Sequence, residues 1–97
     1  MSEVLNKEFD WMVENEDETI TVKAKGIDYI FEEVTEEIVE RCQKLSEKTG
    51  TPIQTLLAVK SIQSPKVTDM DFKQLKASVT SKLKFAAAKI NGLTDFL

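Results

Sequence analysis

The apolar positions of this chain switch between helical and strand periods, and the switches divide it into elements. Leu5, Phe9 and Met12 fall at spacings of four and three, so residues 4–13 present one face of a short helix. The acidic run at residues 14–18 is too charged to pack and reads as a loop. From residue 19 the period drops to two. Ile20, Val22 and Ala24 alternate with Thr21 and Lys23, Ile27, Tyr29 and Phe31 share a face in the same way, and Lys25-Gly26 supplies the turn between them. Residues 19–32 therefore read as a β-hairpin, whose apolar face must lie on helices because a lone hairpin is marginal in water.

From residue 35 onward the period is helical. Thr35 is placed to cap a helix, with Glu36 and Glu37 at its positive end, Lys48 near its negative end and Gly50 as the stop. Val34 and Val39 have the spacing of a hydrophobic staple, and Ile38, Cys42 and Leu45 form the expected buried stripe. A second helix starts at once, with Thr51 and Gln54 at capping-box spacing and Pro52 at the first helical position, and it runs through Ile62 until Pro65 ends it. Thr68 and Asp71 repeat the capping-box grammar in front of Phe72 and Leu75, and Val67 can staple onto Phe72. Ser78 can cap a last helix bearing Val79, Leu83, Ala86, Ala87 and Ile90, closed by Gly92. The expected architecture is α+β, mostly α: an N-terminal hairpin packed on about four short helices. It forms one domain over residues 1–97, made of an acidic arm (1–18), the hairpin (19–32) and a helical region (35–92).

Composition narrows the chemistry. With 41% apolar and 31% charged residues in 97, the chain is long enough for one core without staples, and its single cysteine excludes an internal disulfide. It lacks the apolar run of a membrane span and the basic start of a secretion signal, so a cytoplasmic location is expected. Histidine is absent, which removes the commonest general base, nucleophile partner and neutral metal ligand, so neither catalysis nor a cofactor is expected. Cys42 lies on an apolar stripe and reads as a core thiol. Glu14, Glu16, Asp17 and Glu18 lack the glycine turn and alternating ligand spacing of a calcium loop. Glu33, Glu36, Glu37 and Glu40 read as a solvated helix face, with Glu37–Arg41 and Glu40–Lys44 as i,i+4 pairs.

The net charge of −4 conceals an asymmetry: thirteen carboxylates face three lysines in residues 1–40, and four carboxylates face ten bases in residues 41–97. A basic half held beside a more acidic one argues against nucleic acid. Two readings remain: opposite-sign surfaces associating head to tail, or compensation between packed elements of one molecule. A DNA-binding helix-turn-helix over residues 35–62 is weak, because its second helix carries only Lys60 and no arginine. Phe9 and Trp11 in the arm, and Phe96 and Leu97 at the other end, either dock on their own core or anchor a neighbour. The junction at Pro65, with Phe72 and Leu75 beyond it, is either a capped corner or a place where another protein is held.

Val34-Thr35-Glu36-Glu37, then Ser64-Pro65-Lys66-Val67-Thr68-Asp69-Met70-Asp71-Phe72 with Leu75, then Leu83, Ile90 and Leu93 together resemble the tail assembly chaperones of long-tailed bacteriophages. The likeness covers roughly residues 20–97 and rests on this order of elements. It implies a non-enzymatic homo-oligomer, acting in the cytoplasm of a bacterial host. Such a protein would bind the tape measure protein and tail-tube subunits during assembly and be absent from the mature virion. The alternatives are a small DNA-associated regulator and a structural head–tail or other virion component.

Overall fold

A computed structural model describes residues 10–93 and places four antiparallel strands in one sheet with helices packed on one of its faces. The elements run β1 (Met12–Glu14), β2 (Ile20–Ala24), β3 (Ile27–Phe31), α1 (Glu36–Thr49), α2 (Ile53–Ser61), β4 (Ile62–Ser64), α3 (Asp69–Lys73) and α4 (Ala77–Ile90). Strand order in the sheet is β1-β2-β3-β4. The fold is α+β with helix dominating.

The central hairpin follows from its sequence. Lys25 and Gly26 both take positive φ, 52° and 78°, which is the backbone of a two-residue turn whose twist matches the flanking strands. Ile20 then faces Phe31 and Val22 faces Tyr29, and all four side chains are buried under the helices. Ile27 departs from the expected face. It sits at the turn end of β3 opposite Ala24 and is 43% exposed. Thr21, Lys23, Asp28 and Ile30 point the other way, leaving one side of the sheet to solvent.

The two outer strands correct the sequence reading. Met12 and Val13, expected on a helix, belong to β1 and pair with Val22 and Thr21, while residues 1–9 lie outside the described residues. The acidic run is the turn that joins β1 to β2. Asn15 N–H donates to the Thr19 carbonyl at 2.9 Å, and the Asn15 side chain donates to the Thr19 and Thr21 hydroxyls at 3.0 and 2.9 Å. Ile62 was expected to end a helix. It instead pairs with Phe31 in β4, and Ser64 pairs with Ile30 across an irregular register.

Helix ends follow local chemistry in part. The Thr35 hydroxyl accepts from Ile38 N–H, and Gly50 closes α1 at φ 80°. Thr68 and Asp71 form the complete reciprocal box in front of α3, at 3.1 and 3.2 Å. At the end of α4, Gly92 takes φ 68°, Leu93 N–H reaches the Ala88 carbonyl and Gly92 N–H reaches that of Lys89. That pair of bonds is a Schellman motif.

Two caps differ from expectation. Pro52 holds an extended ψ of 138°, so it precedes α2 as the cap residue, and the Thr51 hydroxyl bonds that of Thr49 instead of a helix N–H. Ser78 lies inside α4, whose first acceptor is the Lys76 carbonyl. The stripe of α1 is narrower than expected: Cys42 is buried, but Leu45 is 43% exposed.

The larger core joins the inner sheet face to Ala58, Ile62, Phe72, Val79, Leu83, Ala86 and Ala87. A smaller core of Cys42, Leu56 and Leu57, flanked by Val34, Ile38, Val39, Ile53 and Leu93, seals α1 onto α2. α2 is therefore the central helix, with Thr55, Leu56, Leu57, Ala58 and Ser61 all buried.

Candidate partner-binding surfaces

The residues singled out from the sequence scatter. Phe72 is 2% exposed and belongs to the larger core, so its ring holds α3 down and is not on the surface. Leu75 is half-buried against that core, and Pro65 is exposed. Trp11 is half-buried. Its ring meets Phe85 edge to face with centroids 5.8 Å apart, and the Lys82 ammonium lies 5.7 Å from its centroid. These contacts tie β1 to α4. Phe9, Phe96 and Leu97 lie outside the described residues. The Pro65 junction is thus a capped corner whose Phe72 and Val67 face inward, while Pro65 and Met70 face outward, Met70 being 69% exposed.

Sequence reasoning did not single out the groove between α1 and α2. It has a volume of about 240 Å³ and is lined by Ile38, Arg41, Cys42 and Leu45 from α1 and Leu56 and Lys60 from α2. Its floor is apolar and its two charged lining residues are cations. The signal lies in Ile38, Cys42 and Leu45 at spacings of four and three, a stripe expected to be buried whose last residue, Leu45, stays exposed. Burial pushes the Cys42 thiol up from its ordinary pKa, with the Lys60 charge opposing this weakly, so the thiolate is disfavoured at neutral pH. As a surface, the groove suits apolar side chains with carboxylates beside them.

Asn91 was also missed. Its carboxamide oxygen accepts from Val34 N–H at 2.8 Å, while its nitrogen donates to the Ser61 hydroxyl at 2.9 Å and the Ala87 carbonyl at 2.8 Å. One side chain thereby joins the start of α1, the end of α2 and the end of α4.

No family model, curated protein or solved structure matches the chain.

Charges meet across the two halves. Lys89 of α4 lies 3.8 Å from Glu14 of β1, and Lys82 is engaged by Trp11. Some of the sequence asymmetry is therefore compensated inside one molecule. On α1, Glu37 pairs with Arg41 at 3.3 Å, with both side chains 74% exposed, a geometry worth little in water. In the acidic turn, Asp17 accepts from the Thr19 hydroxyl at 2.6 Å and from its N–H at 3.1 Å, which holds its carboxyl below the usual range. Its oxygen is thus engaged by the turn. No group of three carboxylates, thiols or imidazoles suited to a metal occurs among the described residues. Among the same residues, no helix is long and apolar enough to cross a membrane.

Proposed function

We propose that this protein is a non-enzymatic assembly chaperone of the phage-tail type, binding a long apolar helical client, the tape measure protein, together with tail-tube subunits. The observation that carries this reading is the groove between α1 and α2, an apolar floor rimmed by Arg41 and Lys60 on paired helices, which suits the apolar face of another segment. The order of capped elements from Thr35 to Leu93 supports the same reading through its likeness to that family. Copies acting together would cover an extended client, and the unequal distribution of charge along the chain favours head-to-tail contact between them.

A helix-turn-helix over residues 35–62 is disfavoured, because five residues of α2 are buried and little of that helix is left to lie in a major groove. Two lysines of the last helix lie near groups of their own molecule, Lys82 5.7 Å from the Trp11 ring centroid and Lys89 3.8 Å from Glu14.

The test is a pull-down with tagged protein from bacteria producing the phage or prophage that carries this chain, with the captured proteins identified by mass spectrometry. Recovery of the tape measure protein with tail-tube subunits, and absence of this chain from purified particles, is the expected result. Incorporation into finished virions would favour a structural component, and capture of DNA with steep salt dependence would favour the regulator.

A further inference from the structure

Asn91 is followed by Gly92, whereas the other asparagines of the chain, Asn6 and Asn15, are followed by Lys7 and Glu16. An asparagine before glycine is the most open of these to ring closure, because glycine has no side chain to shield its nitrogen or to limit the rotations that bring it to the preceding carboxamide. In that reaction the Gly92 nitrogen gives up its proton and attacks Asn91 Cγ. A bond forms between them, the Cγ–Nδ2 bond breaks, ammonia leaves, and a five-membered succinimide results. Water then opens the ring. Addition at Cγ gives aspartate, and addition at the Asn91 backbone carbonyl gives isoaspartate, in which the chain runs through the side-chain carbon. The balance is one water consumed and one ammonia released.

The fold opposes each part of the first step. At ψ 4° the Gly92 nitrogen lies beside Asn91's own nitrogen, turned away from the Cβ that it must eclipse for the ring to close. Gly92 N–H is occupied by the Lys89 carbonyl at 3.2 Å. The carboxamide is held at both ends: its oxygen accepts from Val34 N–H at 2.8 Å, and its nitrogen donates to the Ser61 hydroxyl at 2.9 Å and the Ala87 carbonyl at 2.8 Å. Ser61 is itself fully buried, which fixes the far side of this latch. We propose that Asn91-Gly92 is a deamidation site locked by the fold, reacting when the end of α4 opens and yielding a product that does not close the same latch.

The fate of the product follows from donors and acceptors. An aspartate at position 91 is ionised at neutral pH and offers acceptors alone, so its oxygen meets the Ala87 carbonyl oxygen where the carboxamide nitrogen donated. Isoaspartate adds one carbon to the backbone inside the Schellman motif. Each deamidated copy therefore has a weaker join between the start of α1, the end of α2 and the end of α4, and the change runs one way because the ammonia is lost. This inference is independent of the chaperone reading.

The experiment incubates the full chain in mildly alkaline buffer, with and without guanidinium chloride. The tryptic peptide of residues 90–97 is then separated into its asparaginyl, aspartyl and isoaspartyl forms and weighed by mass spectrometry. In denaturant, Asn91 is expected to react before Asn6 and Asn15, and at least about tenfold faster than in the folded chain, where opening must come first. Ser61→Ala, its fold checked by circular dichroism, is expected to speed the reaction of the folded chain about twofold to tenfold, the weight of one hydrogen bond. Asn91→Asp, which supplies the aspartyl product, is expected to unfold at a lower denaturant concentration than wild type.

Equal rates with and without denaturant, or reaction at Asn6 or Asn15 ahead of Asn91 in the unfolded chain, would overturn the proposal. So would a folded Ser61→Ala that reacts no faster, or an Asn91→Asp as stable as wild type. The comparison with and without denaturant uses the unaltered chain, so it decides the matter even where a variant does not fold.

Discussion

Asn91 concentrates more of the tertiary structure than any residue chosen from the sequence. A lone asparagine before a glycine reads as a helix end, and the Schellman motif confirms that much. Its further role depends on Val34 and Ser61, which are 57 and 30 positions away and come close only in the fold. Asn91→Ala removes three hydrogen bonds and leaves Val34 N–H without its acceptor, so a loss of about 1–3 kcal/mol is expected in urea unfolding. Asp17 gives a second prediction. Hydrogen bonds from Thr19 favour its ionised form, so its folded pKa lies below the unfolded one. The stability this adds is present above the unfolded value, near 3.9, and disappears as pH falls through the lower folded value. Carboxyl NMR titration should show Asp17 below the ordinary aspartate range and should show it rising toward that range in Thr19→Val.

At the scale of elements, caps were legible where one short stretch contained both partners. Thr68 and Asp71 are three residues apart and form their reciprocal bonds with no help from the rest of the chain. Thr68→Ala should cost about 1 kcal/mol in thermal or urea unfolding. The same spacing at Thr51 and Gln54 did not produce a cap, because Pro52 stays extended and its carbonyl becomes the first acceptor of α2. Packing outweighs capping for α3, which has only five residues and is held by Phe72. Phe72→Ala is expected to cost about 3–5 kcal/mol, as for a large buried aromatic removed from a core. A loss under about 1 kcal/mol would mean that α3 is not anchored there.

For the molecule as a whole, charge bears on two readings, and compensation within one copy is the one with an observed ion pair. Glu14 and Lys89 show compensation within one copy, while Arg41 and Lys60 leave a cationic rim beside an apolar floor. If the rim meets carboxylates of another copy, association should weaken as salt rises from about 0.05 to about 0.5 M, where screening shortens to a few ångströms. Sedimentation unchanged across that range would remove the electrostatic contribution while leaving the apolar one. On the open face of the sheet, Val13, Thr21 and Ile30 lie side by side across three strands, with Val13 and Ile30 exposed.

The sequence by itself determined what depends on neighbours a few residues apart. The turn at Lys25-Gly26, the caps at Thr35 and Thr68, the stops at Gly50 and Gly92, and the mostly helical α+β class all arise from local backbone and hydrogen-bond chemistry. Tertiary structure decided the rest. β1 and β4 have three residues each, too short to carry a period of their own, and they exist because β2 and β3 offered unpaired edges. Whether a stripe on a helix is buried depends on how wide its neighbour is, so Cys42 is covered by α2 and Leu45 is not. The groove follows from that mismatch, because exposure is a property of two surfaces and one segment alone does not contain it.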